Sequence, residues 1–228
     1  MNSASAFFHK LPSSVPRDTP IVFVVDDDIS VRESLEMMIH FAGWQSETFA
    51  SAQEFLSRPR ASVPSCLVLD VELPDLNGLD VQRRIAAERT DMPIIFITAH
   101  GNVSMAVHAM KAGAVEFLTK PYGDEALLSA IRQAIKYSNL ALRREAELRS
   151  VRERFVSLSG RERQVMALVV CGLLNRQVGN ELGISEVTVK AHRGSVMRKM
   201  NAESFADLVN MAAKLHLASV GNAECIDS

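Results

Sequence analysis

Between Ile21 and about Ile135, short runs of apolar and β-branched residues alternate with stretches whose apolar positions recur every three to four residues. The short runs, residues 21–25, 46–49, 66–70, 93–98 and 115–119, read as strands. Between them, "SVRESLEMMIHFAG" places Val31, Leu35, Met38 and Ile39 on one helical face, and "GLDVQRRIAAE" does the same with Leu79, Val81 and Ile85. "NVSMAVHAMKAGA" closes on Gly113, where the glycine after a helix end belongs. Strands apolar at nearly every position, separated by amphipathic helices, form a parallel sheet covered on both faces. We expect an α/β doubly wound domain of five βα units.

After residue 135 the pattern changes. "KYSNLALRREAELRSVRERFVSLSG" has no glycine before Gly160 and scatters Leu140, Leu142, Leu148, Val151 and Phe155 among alternating charges, as an exposed helical linker would. Ser159 with Glu162 three residues on is a capping box, opening a helix through Val165, Leu168 and Val169. "GLLNRQVGNELGIS" predicts a short helix capped by Asn175 and ended near Gly183, and Ser185 caps another that runs through Met200. Two helices joined by a tight glycine-containing turn make a helix-turn-helix, and "ESFADLVNMAAKLH" supplies a fourth helix to close an all-α core. The expected organisation is a flexible arm at 1–19, the α/β domain at 20–137, the linker at 138–156, the helical domain at 157–217 and a tail at 218–228.

Composition changes this picture in four ways. The length of 228 residues and 47% hydrophobic content suit two modest globular domains. No apolar run reaches the roughly 20 residues that span a bilayer, and the opening segment lacks the pattern of a signal peptide, so a cytoplasmic protein with no membrane partner is expected. Cys66, Cys171 and Cys225 are odd in number and far apart, and the six histidines are scattered, which excludes a disulfide framework and a transition-metal site. The charge is uneven. Residues 1–135 carry 11 Lys and Arg against 17 Asp and Glu, whereas 157–216 carry 8 against 5, suggesting one half that handles cations and another that approaches an anionic polymer.

The stretch "IVFVVDDDIS" sets three aspartates against the end of a strand. One of them, Asp28, or else Ser30, serves as the helix N-cap ahead of Val31. Grouped carboxylates otherwise oppose one another's ionisation unless a cation offsets them. With strand order 2-1-3-4-5, the flavodoxin-like arrangement, the first and third strands are neighbours. Asp26, Asp27, Asp70, Thr98 and Lys120 then share one rim, beyond the carboxyl ends of the strands. Asp26 or Asp27 with Asp70 is an oxygen set suited to Mg²⁺ or Mn²⁺. Lys120 and Thr98 add a point charge and a hydroxyl for phosphoryl oxygens, and Asp70 is the candidate nucleophile that forms an aspartyl-phosphate. A haloacid-dehalogenase-like phosphatase shares this chemistry but needs a second aspartate two residues after the nucleophile, where this chain has Glu72. A LuxR-type ligand sensor is the other alternative, against which the complete acidic set argues.

"VVDDD", "VLDVELPDLNGLD", "FITAHG" and "EFLTKPY" resemble the receiver domain of bacterial two-component response regulators, over about residues 20–137. The run from "SLSGRERQ" to "MNAES" resembles the LuxR/NarL-type DNA-binding domain, so the chain as a whole is similar to FixJ/NarL-family regulators. The resemblance implies Asp70 as phosphoacceptor. It implies a metal held by Asp26, Asp27, Asp70 and the Glu72 carbonyl, phosphoryl contacts from Thr98 and Lys120, Phe117 as a switch aromatic, and a cis Lys120–Pro121 bond. It also implies a phosphorylation-dependent DNA-binding transcriptional regulator. Such a regulator is not an enzyme beyond Mg²⁺-dependent self-phosphorylation and autodephosphorylation. Its partners would be a sensor histidine kinase, double-stranded promoter DNA, a second copy after phosphorylation, and RNA polymerase. On the last helix of the motif, Val189, Val196 and Met200 make the inner stripe, while Val187, Lys190, Ala191, Gly194 and Arg198 face outward to a major groove. Lys190 is the candidate base reader, and Thr188, Arg193, Arg198 and Lys199 are candidates for phosphates. The chain departs from the family pattern at Gly179, commonly alanine, and at Gly194, commonly polar.

Overall fold

The structure, a computed structural model, describes residues 19–89 and 91–217. The expected N-terminal arm up to residue 18, and the tail from 218 with Cys225, lie outside the described residues. Two compact units divide between Arg143 and Arg144.

In the first unit the strands are β1 (Ile21–Val25), β2 (Gln45–Phe49), β3 (Ser65–Asp70), β4 (Ile94–Thr98) and β5 (Glu116–Thr119). They form one parallel sheet in the order β2-β1-β3-β4-β5, as the pattern predicts. The helices are α1 (Ile29–Phe41), α2 (Ala52–Leu56), α3 (Gly78–Glu88), α4 (Val103–Lys111) and α5 (Asp124–Val156). Alternation along each strand feeds two cores. Phe23, Val25, Leu67, Leu69 and Phe96 pack with Phe55, Val81, Ile85 and Ala109 on one face. Val22, Val24, Cys66, Val68, Ile95 and Ile97 pack with Leu35, Ile39, Leu127 and Ile131 on the other. Both faces are covered, which is why the central strands β1, β3 and β4 show no polar alternation. Pro93, expected inside the fourth strand, stands just before it. Having no N–H, it contributes only its carbonyl, which accepts from the Leu67 amide at 3.0 Å.

The second unit holds α6 (Gly160–Val170), α7 (Asn175–Leu182), α8 (Glu186–Met200) and α9 (Phe205–Lys214). Val165, Met166, Val169, Val178, Val189, Val196, Met200 and Leu208 form its core. The last turns of α5 belong to it as well. Val151 is only 4% exposed within that core, and Arg154 donates to the Met200 carbonyl at 3.2 Å, closing the end of α8. The Ser159–Glu162 capping box is present, Gly183 ends α7 at φ 66°, and Ser185 caps α8 by accepting from the Thr188 amide. One expectation is corrected. Asn175 is the first residue of α7 rather than its cap; Leu174 holds the cap position, its N–H donating to Gln177 Oε1 at 2.8 Å. The Asn175 side chain is used elsewhere, accepting from Arg193 Nη1 at 3.2 Å.

Candidate functional site

Strand register builds the acidic rim. Val25 pairs with Leu69 and Thr98 with Thr119, so Asp26 follows β1 beside Asp70 at the end of β3, and Lys120 follows β5 beside Thr98. The Lys120 amide donates to the Thr98 carbonyl at 2.8 Å, and its peptide bond to Pro121 is cis. Lys120 Nζ donates to Asp26 Oδ2 and to Asp70 Oδ2, each at 2.8 Å. The remaining carboxylate oxygens are held by the chain itself: Asp26 Oδ1 accepts from the Asp28 amide at 2.9 Å, and Asp70 Oδ1 from the Glu72 amide at 3.0 Å. Asp28 is the N-cap of α1. Of the three consecutive aspartates, one therefore caps a helix, Asp26 is fully buried, and Asp27 is exposed.

Burial raises the Asp26 carboxyl above its ordinary value, more than the Lys120 hydrogen bond and the Asp28 amide lower it. Burial alone would lower the Lys120 ammonium, but its hydrogen bonds to Asp26 and Asp70 and their charges outweigh that and hold it raised. The lysine is thus a firm cation between two carboxylates. Oxygens of Asp26, Asp27 and Asp70 lie within 4.8 Å of one another, a hard all-oxygen set that fits a divalent ion of the Mg²⁺ type.

Thr98 is fully buried, with its Oγ1 accepting from the His100 amide at 3.2 Å. The half-buried Phe117 ring lies 6.1 Å from that of Phe96. Two groups around this rim escape the sequence reading. Arg32 Nη1 donates to the Asp26 and Asp27 carbonyls at 2.7 and 2.9 Å, fixing the acidic loop from the first turn of α1. Gly101 lies directly on the β4 and β5 ends: a Cβ there would stand 2.6 Å from Thr119, 2.9 Å from Phe117 and 3.1 Å from Thr98. The glycine in "TAHG" is the only signal of that closeness, and its meaning depends on the sheet.

Both units are similar to known proteins. Residues 22–132 match the response regulator receiver domain, and residues 156–212 match the bacterial regulatory proteins of the luxR family. Nodulation protein W of Bradyrhizobium diazoefficiens is 47% identical over 87% of this chain and 88% of its own. The chain belongs to the FixJ/NarL family of two-component response regulators. Transcriptional regulatory protein FixJ of the same organism is 39% identical over 85% of this chain and 94% of its own. The solved structure of the response regulator StyR aligns with a TM-score of 0.77 at 46% identity, over 86% of this chain and 99% of that one. As a response regulator with a LuxR-type helix-turn-helix, the protein acts in transcription regulation, and its receiver implies a histidine kinase partner. Among the described residues no helix is long and apolar enough to cross a membrane.

In this regulator α8 is the second helix of the helix-turn-helix. Val189, Val196 and Met200 are buried, and Val187, Lys190, Ala191, Gly194 and Arg198 are exposed, the face the spacing predicts. Three other candidate contacts are engaged within the chain. Thr188 Oγ1 is 2.8 Å from Ser185 Oγ. The Arg193 guanidinium stacks 4.8 Å over Phe205 while bonding Asn175. Lys199 Nζ donates at 2.6 Å to Glu162, whose other oxygen accepts from Ser195 Oγ at 2.7 Å. Those bonds, led by Lys199, hold the Glu162 carboxyl far below the usual range, at about 2. Sequence reading took Glu162 only as a cap; its partners on α8 lie more than 30 residues away.

Proposed function

We propose that Asp70 accepts a phosphoryl group from the phosphohistidine of a sensor kinase, and that the modified regulator dimerises and binds paired half-sites in promoter DNA through α8. The observation that carries this reading is the placement of Asp70. Its carboxylate ends a buried strand, 6% exposed, with one oxygen fixed by the Glu72 amide and the other by Lys120 at 2.8 Å. Asp26, Asp27, Asp70 and the Glu72 carbonyl would hold Mg²⁺ or Mn²⁺, which when bound offsets the charge of the transferring phosphoryl group. Lys120 then moves its contact to a phosphoryl oxygen, and the Thr98 hydroxyl donates to another. Phe117 follows Thr98, because the Gly101 loop packs on both. The surface of α4, β5 and α5 changes with them and favours the dimer. Two linked DNA modules gain effective concentration on paired half-sites. RNA polymerase is the partner such a bound dimer recruits or blocks. The same site also takes a phosphoryl group from a small phosphodonor and returns it to water.

The test is intact-protein mass after incubation with Mg²⁺ and acetyl phosphate, followed by sedimentation of the same samples. Gain of one phosphoryl group by the parent and none by Asp70→Asn supports the acceptor. Equal gain in both removes Asp70 from that role. Equal dimerisation with and without phosphate overturns the coupling to assembly.

A further inference from the structure

The face that α8 turns outward is unusual in what it lacks. Val187, in the first turn, is a large apolar side chain, 76% exposed. Ala191 and Gly194 follow it at i+4 and i+7 on the same ridge. Lys190 beside them is the one long polar side chain of the ridge's first half, and it pairs with exposed Glu186 at 3.6 Å. The helix is locked in its own unit from behind, by Glu162 on Ser195 and Lys199 and by Phe205 under Arg193. What α8 presents is therefore a fixed surface.

Gly194 sharpens the point. A glycine inside a helix costs stability relative to alanine and is explained when a Cβ would clash. At Gly179 that explanation holds, since a Cβ would stand 2.7 Å from the Ile184 carbonyl. At Gly194 it fails: nothing lies within 4 Å of the place a Cβ would take. Among the described residues no packing accounts for a bare backbone there, and the helix at Gly194 is open to close approach from outside.

We propose that this regulator reads its half-site chiefly by apolar contact, Val187 and Ala191 lying against thymine 5-methyl groups while the bare helix at Gly194 comes up close to the groove wall. Lys190 supplies the hydrogen bonds to a neighbouring base edge. N-terminal residues of a recognition helix face base edges, and the thymine methyl is the apolar mark of the major groove. This inference rests on the DNA-binding reading above and adds the kind of base it selects.

The test uses the full chain treated with acetyl phosphate and Mg²⁺. Duplexes are selected from a random pool, and the best one is remade with each thymine replaced in turn by deoxyuridine, which removes only the methyl. One or two replacements in each half-site should weaken binding about fourfold, the worth of burying one methyl group. Val187→Ala should bind the parent duplex more weakly and become indifferent to the replacement at one of those positions. Val187→Thr, which keeps the shape and adds a hydroxyl, checks that the loss is apolar by weakening binding too. Gly194→Ala should bind every duplex several-fold less well while keeping its helix. Selected duplexes that tolerate deoxyuridine everywhere, or a Val187→Ala protein that keeps the full sensitivity, overturn the inference and leave DNA binding standing. Parent-like affinity in Gly194→Ala overturns the close approach. No enriched duplex at all overturns the DNA-binding reading itself.

Discussion

Lys120 holds together two acids that would otherwise repel. Replacing it by methionine leaves Asp26, fully buried, and Asp70 facing each other without a cation, and removing one partner of a buried pair is strongly destabilising. Lys120→Met should cost about 2 kcal/mol or more at neutral pH, read from urea melts of the receiver. The sign with pH follows from Asp26, whose folded carboxyl is already raised by burial and loses its counter-charge in the variant. As pH falls, the folded state of the variant takes up protons before the unfolded chain does, so its deficit should shrink toward pH 5. The two helix glycines give a second, opposed pair of outcomes. Gly194→Ala should stabilise the DNA-binding unit by roughly 0.5–1 kcal/mol, while Gly179→Ala should destabilise it despite better propensity, because its Cβ meets backbone. Thermal midpoints of the two variants decide this. In sequence the glycines look alike. The acids, Thr98 and Lys120 were legible because their spacing follows the strand ends, whereas the close approach at Gly179 is made across a turn, by an Ile184 carbonyl that every residue type would supply.

Elements were readable where periodicity had room to act. The pattern located β1 to β5 and the long helices, and gave the helix of the second βα unit, α2, no range, because its five residues are too short for a helical repeat. A local signal was there. Ser51 accepts from the Glu54 amide, a cap followed by its glutamate, and Asp75 from the distant loop after β3 accepts from the Ala52 and Gln53 amides. The boundary of the DNA-binding unit shows the opposite limit. Charges along residues 138–156 suggest a solvated connection, yet Val151 is buried, Arg154 closes α8, and Lys214 pairs with Glu147. A fragment starting at residue 157 should therefore be less stable than one starting at 144 by about 2 kcal/mol, the contribution of one buried valine and a helix-end bond, measured by chemical denaturation. The longer fragment also isolates the effect of Glu162. A folded value of about 2 against the ordinary 4.5 means that its contribution is complete above about pH 4.5 and is lost as pH falls toward 2. Melting temperatures at pH 3 and pH 6 should diverge in the parent fragment and converge in Glu162→Gln.

At the scale of the whole molecule, the order of motifs was sufficient to name two units of opposite charge, because each kind of chemistry sits where its own fold exposes it. An acidic rim needs strand ends, and a basic ridge needs a helix face. Affinity, operator and assembly are set by surfaces whose apolar content a linear pattern cannot separate from core, as Val187 and Val189 illustrate: two residues apart, one 76% exposed and one fully buried. The same contrast holds for the thiols. Cys66 lies in the middle of the sheet with no exposure, its ionisation suppressed by burial, while Cys171 at the end of α6 is open to water. In a Cys225→Ser background, an alkylating reagent should mark Cys171 at once and Cys66 only when the receiver opens. The slow modification rate is then a clock for the excursions of one unit, counted by peptide mass without any added dye. Phosphate on Asp70, one strand end away from Cys66, should make that clock run slower.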